Sequence, residues 1–258
     1  MPSSRPMPLS QQAVAVPAEA QISSWNAALE QALRAENSDQ ALRVAHVILA
    51  RYPRHLPTYY RLLRVAWSMR KWQQGDLWAR RLLRADPSSA LAWRAVAMAT
   101  EQRGERAQAH ARWLRAFECD PYEPDIRAGL VRTSMDVARL PVLNEACLAA
   151  LHLRGYRWEM AARLYRSLTQ IDPHRLDFQS GLLIAQWQMR AQPEAYQLAR
   201  RLIQSQPHLL VGWVVIDDMG DVNDKALARH PLLSMDPDGD YVRSALDLLY
   251  TPRPATIS

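Results

Sequence analysis

One proline position recurs along this chain at an interval of 34 residues and limits the folds that the chain can adopt. Pro53, Pro87 and Pro121 form one set in this phase, and Pro173 and Pro207 form a second. A fixed interval of this length is typical of repeat proteins, in which one small unit is copied and each copy buries its apolar face against its neighbours. The sequence therefore predicts a linear array of units rather than a single globular core.

Two other kinds of residue keep the same period, and both indicate helices. A small residue stands twelve positions before each proline, which indicates a close approach between two helices. These residues are Ala41, Gly75, Ala109, Ala161 and Ala195. An aromatic residue stands six positions after three of the prolines, as Tyr59, Trp93 and Trp213, and Trp25 has the same phase in the first unit. Because 8 glycines accompany 17 prolines, the chain has little material for hairpin turns, and we predict an all-α fold.

This pattern resembles the tetratricopeptide repeat family, whose 34-residue unit is a pair of antiparallel helices with an early aromatic, a small residue and a terminal proline. The Asp-Pro pairs at 86–87, 120–121 and 172–173 are similar to the junctions of that family. The resemblance covers roughly residues 22 to 225 and implies an α-solenoid, a right-handed superhelix of helix hairpins. Leu29, Leu63 and Leu183 depart from the small residue that the family usually has in the middle of the first helix.

The repeat phase and the composition divide the chain into six regions. We predict a flexible N-terminal arm at 1–21, three repeats at 22–123, an extra helix or junction at 124–141, two repeats at 142–209, a partial repeat with a C-terminal cap at 210–250, and a flexible tail at 251–258. The units within the two arrays are 22–55, 56–89, 90–123, 142–175 and 176–209. Terminal repeats of a solenoid must cover an exposed apolar face, which is the reason for predicting the cap.

The two sets of prolines are separated by one additional helix. Pro121 and Pro173 lie 52 residues apart, and the extra segment is amphipathic through Ile126, Leu130 and Leu140. One added helix reverses the alternation of inner and outer helices, so a break in the groove is one interpretation. An irregular repeat partner that packs in line is the other, and the sequence leaves both open.

The family resemblance implies that the first helix of each unit lines a concave groove. The residues projected onto the groove are Asn26, Glu30, Leu33, Tyr60, Arg64, Trp67, Leu91, Arg94, Met98 and Glu101. Aromatic residues, methionine and arginine are enriched in the contacts that dominate protein interfaces. The hypothesis is a noncatalytic scaffold or adaptor that binds a peptide or helix of a protein partner in this groove. The alternative is that Trp67 and Met98 pack only against neighbouring helices.

Arginines also recur on the second helices. They are Arg80, Arg81, Arg115, Arg166, Arg200 and Arg201, and the chain carries a net charge of +6. A convex stripe of this kind could attract nucleic acid or an anionic surface, which is the second functional hypothesis. Outer helix faces are polar in any case, and nearby carboxylates can neutralise such arginines.

Signals of catalysis and of membrane insertion are weak in this sequence. It contains no HExxH, GxSxG or phosphate-binding glycine loop, and its two cysteines are far apart, so we expect no enzyme activity, cofactor or metal site. The segment from Asp236 to Asp240 is read as a turn before the last helix, predicted at 241–250, because it lacks the spacing of a calcium loop. No apolar run is long enough to span a membrane, and we expect a cytoplasmic protein.

Overall fold

The computed structural model describes residues 18–135, 142–244 and 246, and all regular secondary structure in these ranges is α-helical. The helices are α1 (Ala18–Arg34), α2 (Ser38–Arg51), α3 (Leu56–Ser68), α4 (Trp72–Ala85), α5 (Ala90–Gln102), α6 (Arg106–Cys119), α7 (Pro124–Thr133), α8 (Glu145–Arg154), α9 (Trp158–Ile171), α10 (Leu176–Gln188), α11 (Gln192–Ser205), α12 (Leu210–Met219), α13 (Val222–Met235) and α14 (Asp240–Ser244). The predictions for residues 1–17, 136–141 and 247–258 lie outside the described residues. Helix α1 already begins at Ala18, inside the range predicted to be an arm.

The helices pack as a repeat of antiparallel pairs. Consecutive helices contact each other from α1 to α6 and again from α8 to α13, and alternate helices such as α3 and α5, or α10 and α12, also touch. All five repeat prolines lie between helices, in the turns that join one pair to the next. This arrangement confirms the prediction of an all-α solenoid. None of the described helices combines the length and the apolar character needed to span a bilayer.

A hydrogen bond to the carbonyl of each repeat proline explains the periodic residue six positions later. Tyr59 Oη donates to Pro53 O at 2.8 Å, and Trp93 Nε1 donates to Pro87 O at 2.9 Å. The other three bonds run from Arg127 Nη1 to Pro121 O, from Gln179 Nε2 to Pro173 O and from Trp213 Nε1 to Pro207 O. The position therefore requires a long side chain with a donor, because an unpaired carbonyl at the turn would cost free energy.

The small residues of the second helices mark close contacts between helices. Ala41, Ala109, Ala161 and Ala195 are completely buried. A Cβ built on Gly75 would lie 3.3 Å from the Cβ of Ala66 in the preceding helix. Since this is tighter than an ordinary van der Waals contact, the helix axes approach closely at this phase, as the sequence predicts.

The extra helix α7 packs against α5 and α6, and the following helix α8 also contacts α6 before it pairs with α9. Two successive helices therefore share α6 as a neighbour. Gly129 permits the first of these contacts, because a Cβ at this position would lie 2.3 Å from the buried indole of Trp113. The side chain of Trp113 is held in turn by a hydrogen bond from its Nε1 to Glu101 Oε2 at 2.8 Å.

A buried ionic network joins the two halves of the array beside α7. The guanidinium of Arg175 binds Asp177 with two hydrogen bonds of 2.8 and 2.5 Å, and it binds Glu118 at 2.8 Å. Asn144, the N-cap of α8, donates to the same Glu118 carboxylate at 3.1 Å. All three charged side chains of the network are about nine-tenths buried. Helices α6, α8 and α10 are thus connected through one carboxylate.

The C-terminal cap returns to the first repeats. Helix α12 continues the repeat with Trp213 inside it, and α13 begins with a capping box formed by Asp221 and Asp224. Beyond α13, Asp236 accepts the backbone N–H groups of Tyr241 and Val242 at 2.9 and 3.0 Å and so fixes the start of α14. Residues 236–244 and 246, which we call the C-terminal segment, then lie against α1 and α3.

Three of the long-range contacts that hold the C-terminal segment in place are made with α1 and α3. Asn26 Nδ2 donates to Asp238 at 3.2 Å, and Arg61 Nη2 donates to Asp240 at 2.9 Å. The ring of Tyr241 packs edge-on against Tyr60, with centroids 5.9 Å apart. The segment therefore covers part of the face that the repeat phase assigns to the groove.

Candidate functional site

A cavity of about 410 Å³ lies between the helices of the two halves of the chain. Its walls come from α3 and from the helices α5 to α10, and the C-terminal segment bounds it through Tyr241 and Leu246. We call the surface that lines this cavity the inner face. A cavity of this size is within the range found for ligand sites, and its lining mixes aromatic, aliphatic and charged side chains.

Four of the residues projected onto the groove meet in this cavity. They are Tyr60 and Arg64 on α3, and Leu91 and Arg94 on α5. Tyr60 and Leu91 are half-buried, whereas Arg64 is exposed and takes part in none of the ion pairs found among the described residues. Arg64 therefore presents an available positive charge at the cavity.

Arg94 differs from Arg64, because its guanidinium is already engaged. Its Cζ lies 4.1 Å from the ring centroid of Trp67, which is a cation–π contact. Its Nη1 donates to Glu123 at 3.1 Å and to Asp125 at 3.0 Å. Arg94 thus joins α5 to the start of α7, and its ion pairs neutralise its charge.

The opposite wall of the cavity belongs to the second half of the chain. Phe178 on α10 is 6% exposed and carries the Arg175 guanidinium 3.7 Å above its ring centroid. Leu153 and Arg154 come from the end of α8. Arg154 Nη2 donates to Cys119 O at 2.6 Å, which satisfies a carbonyl at the end of α6.

A buried carboxyl group attaches the C-terminal segment to the cavity wall. Tyr241 Oη donates to Asp86 Oδ2 at 2.8 Å, and the Ser88 N–H donates to the other carboxylate oxygen at 3.0 Å. Burial raises the pKa of Asp86 to about 6, although both hydrogen bonds act to lower it. Asp86 thus gains protons on folding at mildly acidic pH.

This pKa predicts a pH dependence of stability. The folded-state pKa of Asp86 lies above its unfolded value of 3.8, so the folded chain binds more protons between about pH 4 and 6, and stability falls as the pH rises through that window. From pH 7.5 to pH 5, we expect wild type to gain about 1 kcal/mol of unfolding free energy relative to Asp86→Asn. Urea denaturation of both proteins at both pH values measures this difference.

The comparison with Asp86→Asn is necessary because another buried group acts in the opposite direction. Burial lowers the pKa of His55 to about 4, so His55 destabilises the fold as the pH falls from 6.5. Both proteins retain His55, and its effect cancels between them. An identical change in unfolding free energy for the two proteins would contradict the assignment to Asp86.

The other projected groove residues lie outside the cavity lining. Asn26 contacts the C-terminal segment, and Glu30 forms an ion pair with Arg61. Trp67 packs edge-on against Trp72, with ring centroids 5.2 Å apart, and it also lies beneath the guanidinium of Arg94. Glu101 binds Trp113 and Arg132, and the half-buried Met98 packs on the core around Trp113. Leu33 packs against the main apolar core.

The six arginines of the predicted convex stripe have different environments. Arg80, Arg115 and Arg200 form ion pairs with Asp76, Glu118 and Asp224, at 3.0, 3.8 and 2.8 Å. Arg81 Nη1 donates to the hydroxyl of Tyr59 at 2.7 Å. Arg166 and Arg201 are exposed and have no ion pair among those found in the described residues. Carboxylates thus neutralise half of the stripe.

Several lining residues were missed by the projection, and some of them carry a signal in the sequence. Asp177 and Ile184 lie four and eleven positions after Pro173. These are the phases of Leu91 after Pro87 and of Arg64 after Pro53. Extending the projection to the second array would have found both residues. Arg154 and Tyr241 share a phase with none of the projected groove residues, so the projection does not reach them.

Cys119 and Cys147 are free thiols on α6 and α8. Cys147 is fully buried, and burial raises the pKa of both cysteine thiols. Among residues 18–135, 142–244 and 246, no group of three or more histidine, cysteine, aspartate or glutamate side chains is placed to hold a metal ion. The cavity therefore offers charged and apolar contacts as its chemistry.

No protein-family model matches the chain, and no curated protein matches it. A solved structure described as "Structure of Naa15/Naa10 bound to HypK-THB" is similar over 82% of this chain and 30% of that chain, with 15% identity and a TM-score of 0.33. A likeness at this level bears on neither partner nor function. The helix pairs themselves form a tetratricopeptide-like helical repeat.

Proposed function

We propose that this chain is a noncatalytic interaction scaffold that binds a segment of a protein partner on its inner face. The observation that carries the proposal is the meeting of Tyr60, Arg64, Leu91 and Arg94 in one cavity with Phe178 of the other array. Repeat architectures commonly use such recessed surfaces for binding. Large side chains with a polar or charged group are also the residue types that dominate interface energetics.

The lining favours a partner segment with alternating apolar and acidic residues. Tyr60 and Leu91 offer apolar area, and Arg64 offers a guanidinium that has no ion pair among the described residues. A carboxylate of the partner could accept two parallel hydrogen bonds from Arg64. The C-terminal segment bounds the cavity at Tyr241, so the partner segment would extend from there along α5 and α10.

The absence of catalysis is part of the proposal. The ionisable groups around the cavity are largely engaged with each other, since Arg94 pairs with Glu123 and Arg175 pairs with Glu118 and Asp177. Groups held in such pairs support structure rather than proton transfer to a substrate. The carboxyl of Asp86 is likewise bound by Tyr241 and Ser88.

The proposal is tested with peptides selected for binding from a random displayed library. For the selected peptides, we expect Arg64→Glu to weaken binding at least about tenfold, because it replaces the available guanidinium by a like charge for the peptide carboxylate. Calorimetric titration measures the affinity.

Arg80→Glu is the matched control, because it makes the same charge change on an exposed arginine outside the cavity. The affinity of this control for the selected peptides should stay within about twofold of the wild-type affinity. Equal affinities for wild type and Arg64→Glu, or an equal loss with Arg80→Glu, would contradict binding at the inner face.

A further inference from the structure

A second cavity, of about 300 Å³, lies where the first two repeats meet the end of the array. Its residues come from the turn between α2 and α3, from α3 and α4, from the turn before α12, and from the end of α13 at Met235. We call it the seam cavity. It is separate from the inner-face cavity and shares none of its lining residues.

The charge of the seam cavity has one sign. Arg54, Arg81, Arg84 and His208 line it, and no carboxylate does. None of the three arginines takes part in an ion pair found among the described residues, whereas Arg80, next to Arg81 in sequence, binds Asp76. Three guanidiniums without carboxylate partners around one concavity attract an anion.

The position of Arg81 is fixed by its neighbours. Its Nη1 donates to the hydroxyl of Tyr59 at 2.7 Å, and this hydroxyl donates in turn to Pro53 O at 2.8 Å. The guanidinium also lies over the Tyr59 ring, 5.6 Å from its centroid. The ring is buried, so Arg81 is anchored and the loss of side-chain entropy on binding a ligand is reduced.

We propose that the seam cavity binds a small molecule that carries a phosphate monoester. Guanidinium groups match the oxygen geometry of a phosphate and bind it with paired hydrogen bonds. Three nearby positive charges also bind a dianion more tightly than a monoanion. The volume exceeds that of a phosphate alone. Leu56, Ala85 and Met235 supply apolar contact for the remainder of such a molecule.

His208 reports on the field inside this cavity. Burial lowers its pKa, and the charges of Arg54 and Arg84 lower it further. The charged side chains that line the cavity around it are Arg54, Arg81 and Arg84, and Tyr59 is the remaining titratable group. A bound dianion would reverse the effect of the arginines and raise the His208 pKa.

The experiment uses phenyl phosphate as the probe, with the full chain and its Arg54→Gln/Arg84→Gln variant. Both arginines are exposed, so the substitutions should not affect folding. We expect saturable binding to wild type, at least about tenfold weaker binding to the variant, and weaker binding of phenyl sulfate, a monoanion, than of phenyl phosphate. In an NMR titration, phenyl phosphate should raise the pKa of His208 in wild type.

Arg80→Gln/Arg201→Gln is the matched control, since it removes two exposed arginines outside the cavity. It should bind phenyl phosphate as wild type does. The proposal is overturned by equal affinities of wild type and Arg54→Gln/Arg84→Gln, by an equal loss in the control, or by no binding at about 10 mM probe. Preference for a single-stranded oligonucleotide, with an affinity that both variants reduce equally, would also overturn it in favour of a diffuse basic surface.

Discussion

Replacing Arg175 by alanine is expected to lower the free energy of unfolding by about 3–5 kcal/mol. The guanidinium of Arg175 is bound by Asp177 and Glu118 and is 11% exposed. Its removal leaves Asp177 buried without its cation and leaves Glu118 with only Arg115, at 3.8 Å. It also removes the group that covers the ring of Phe178. Urea denaturation followed by circular dichroism measures the change.

Arg190→Ala is the control for this prediction, because Arg190 pairs with Asp218 at 2.9 Å but its side chain is 70% exposed. An exposed ion pair contributes little, so the control should cost less than about 1 kcal/mol. If both variants lose equally little unfolding free energy, the Arg175 network does not connect the two halves of the array.

Replacing Gly129 by leucine is expected to destabilise the fold by more than about 3 kcal/mol. The first atom of any side chain at this position would lie 2.3 Å from the indole of Trp113. The indole is completely buried and hydrogen-bonded to Glu101, so it has no space into which to move. Thermal and urea denaturation both measure the loss.

The neighbouring substitution Ala128→Leu is the control, because Ala128 is exposed on the same helix. It should change stability by less than about 0.5 kcal/mol. Gly129→Ala tests the sign of the change in the free energy of unfolding. Helix propensity alone would stabilise α7 by about 1 kcal/mol, whereas the contact with Trp113 predicts a loss of stability. A stabilising Gly129→Ala would contradict the close packing of α7 on α6.

The repeat period predicts the order of helices well, because each unit specifies its own turn and its contact with the next unit. At the position six residues after the proline, the sequence predicts the common residue type but not the physical requirement. The sequence indicates an aromatic at this position, yet Arg127 and Gln179 serve there equally, because the turn requires a donor to the proline carbonyl. Only the hydrogen bonds reveal that requirement.

Contacts between distant parts of the chain are not predicted by a period. Tyr241 and Asp86 lie 155 positions apart, and Arg175 and Glu118 lie 57 apart. Neither pair shares a repeat phase, and a one-dimensional array specifies only neighbouring units. The return of the C-terminal segment to α3, and with it the boundary of the inner-face cavity, therefore required the structure.

Binding at the inner face is tested most directly by photocrosslinking. A photoreactive benzoylphenylalanine is placed at position 64 in one protein and at position 80 in another, both positions being exposed, and each protein is irradiated with the tightest peptide from the displayed library. Binding in the cavity predicts a peptide adduct from position 64 and none from position 80. An adduct from position 80 alone, or equal adducts from both, would contradict it.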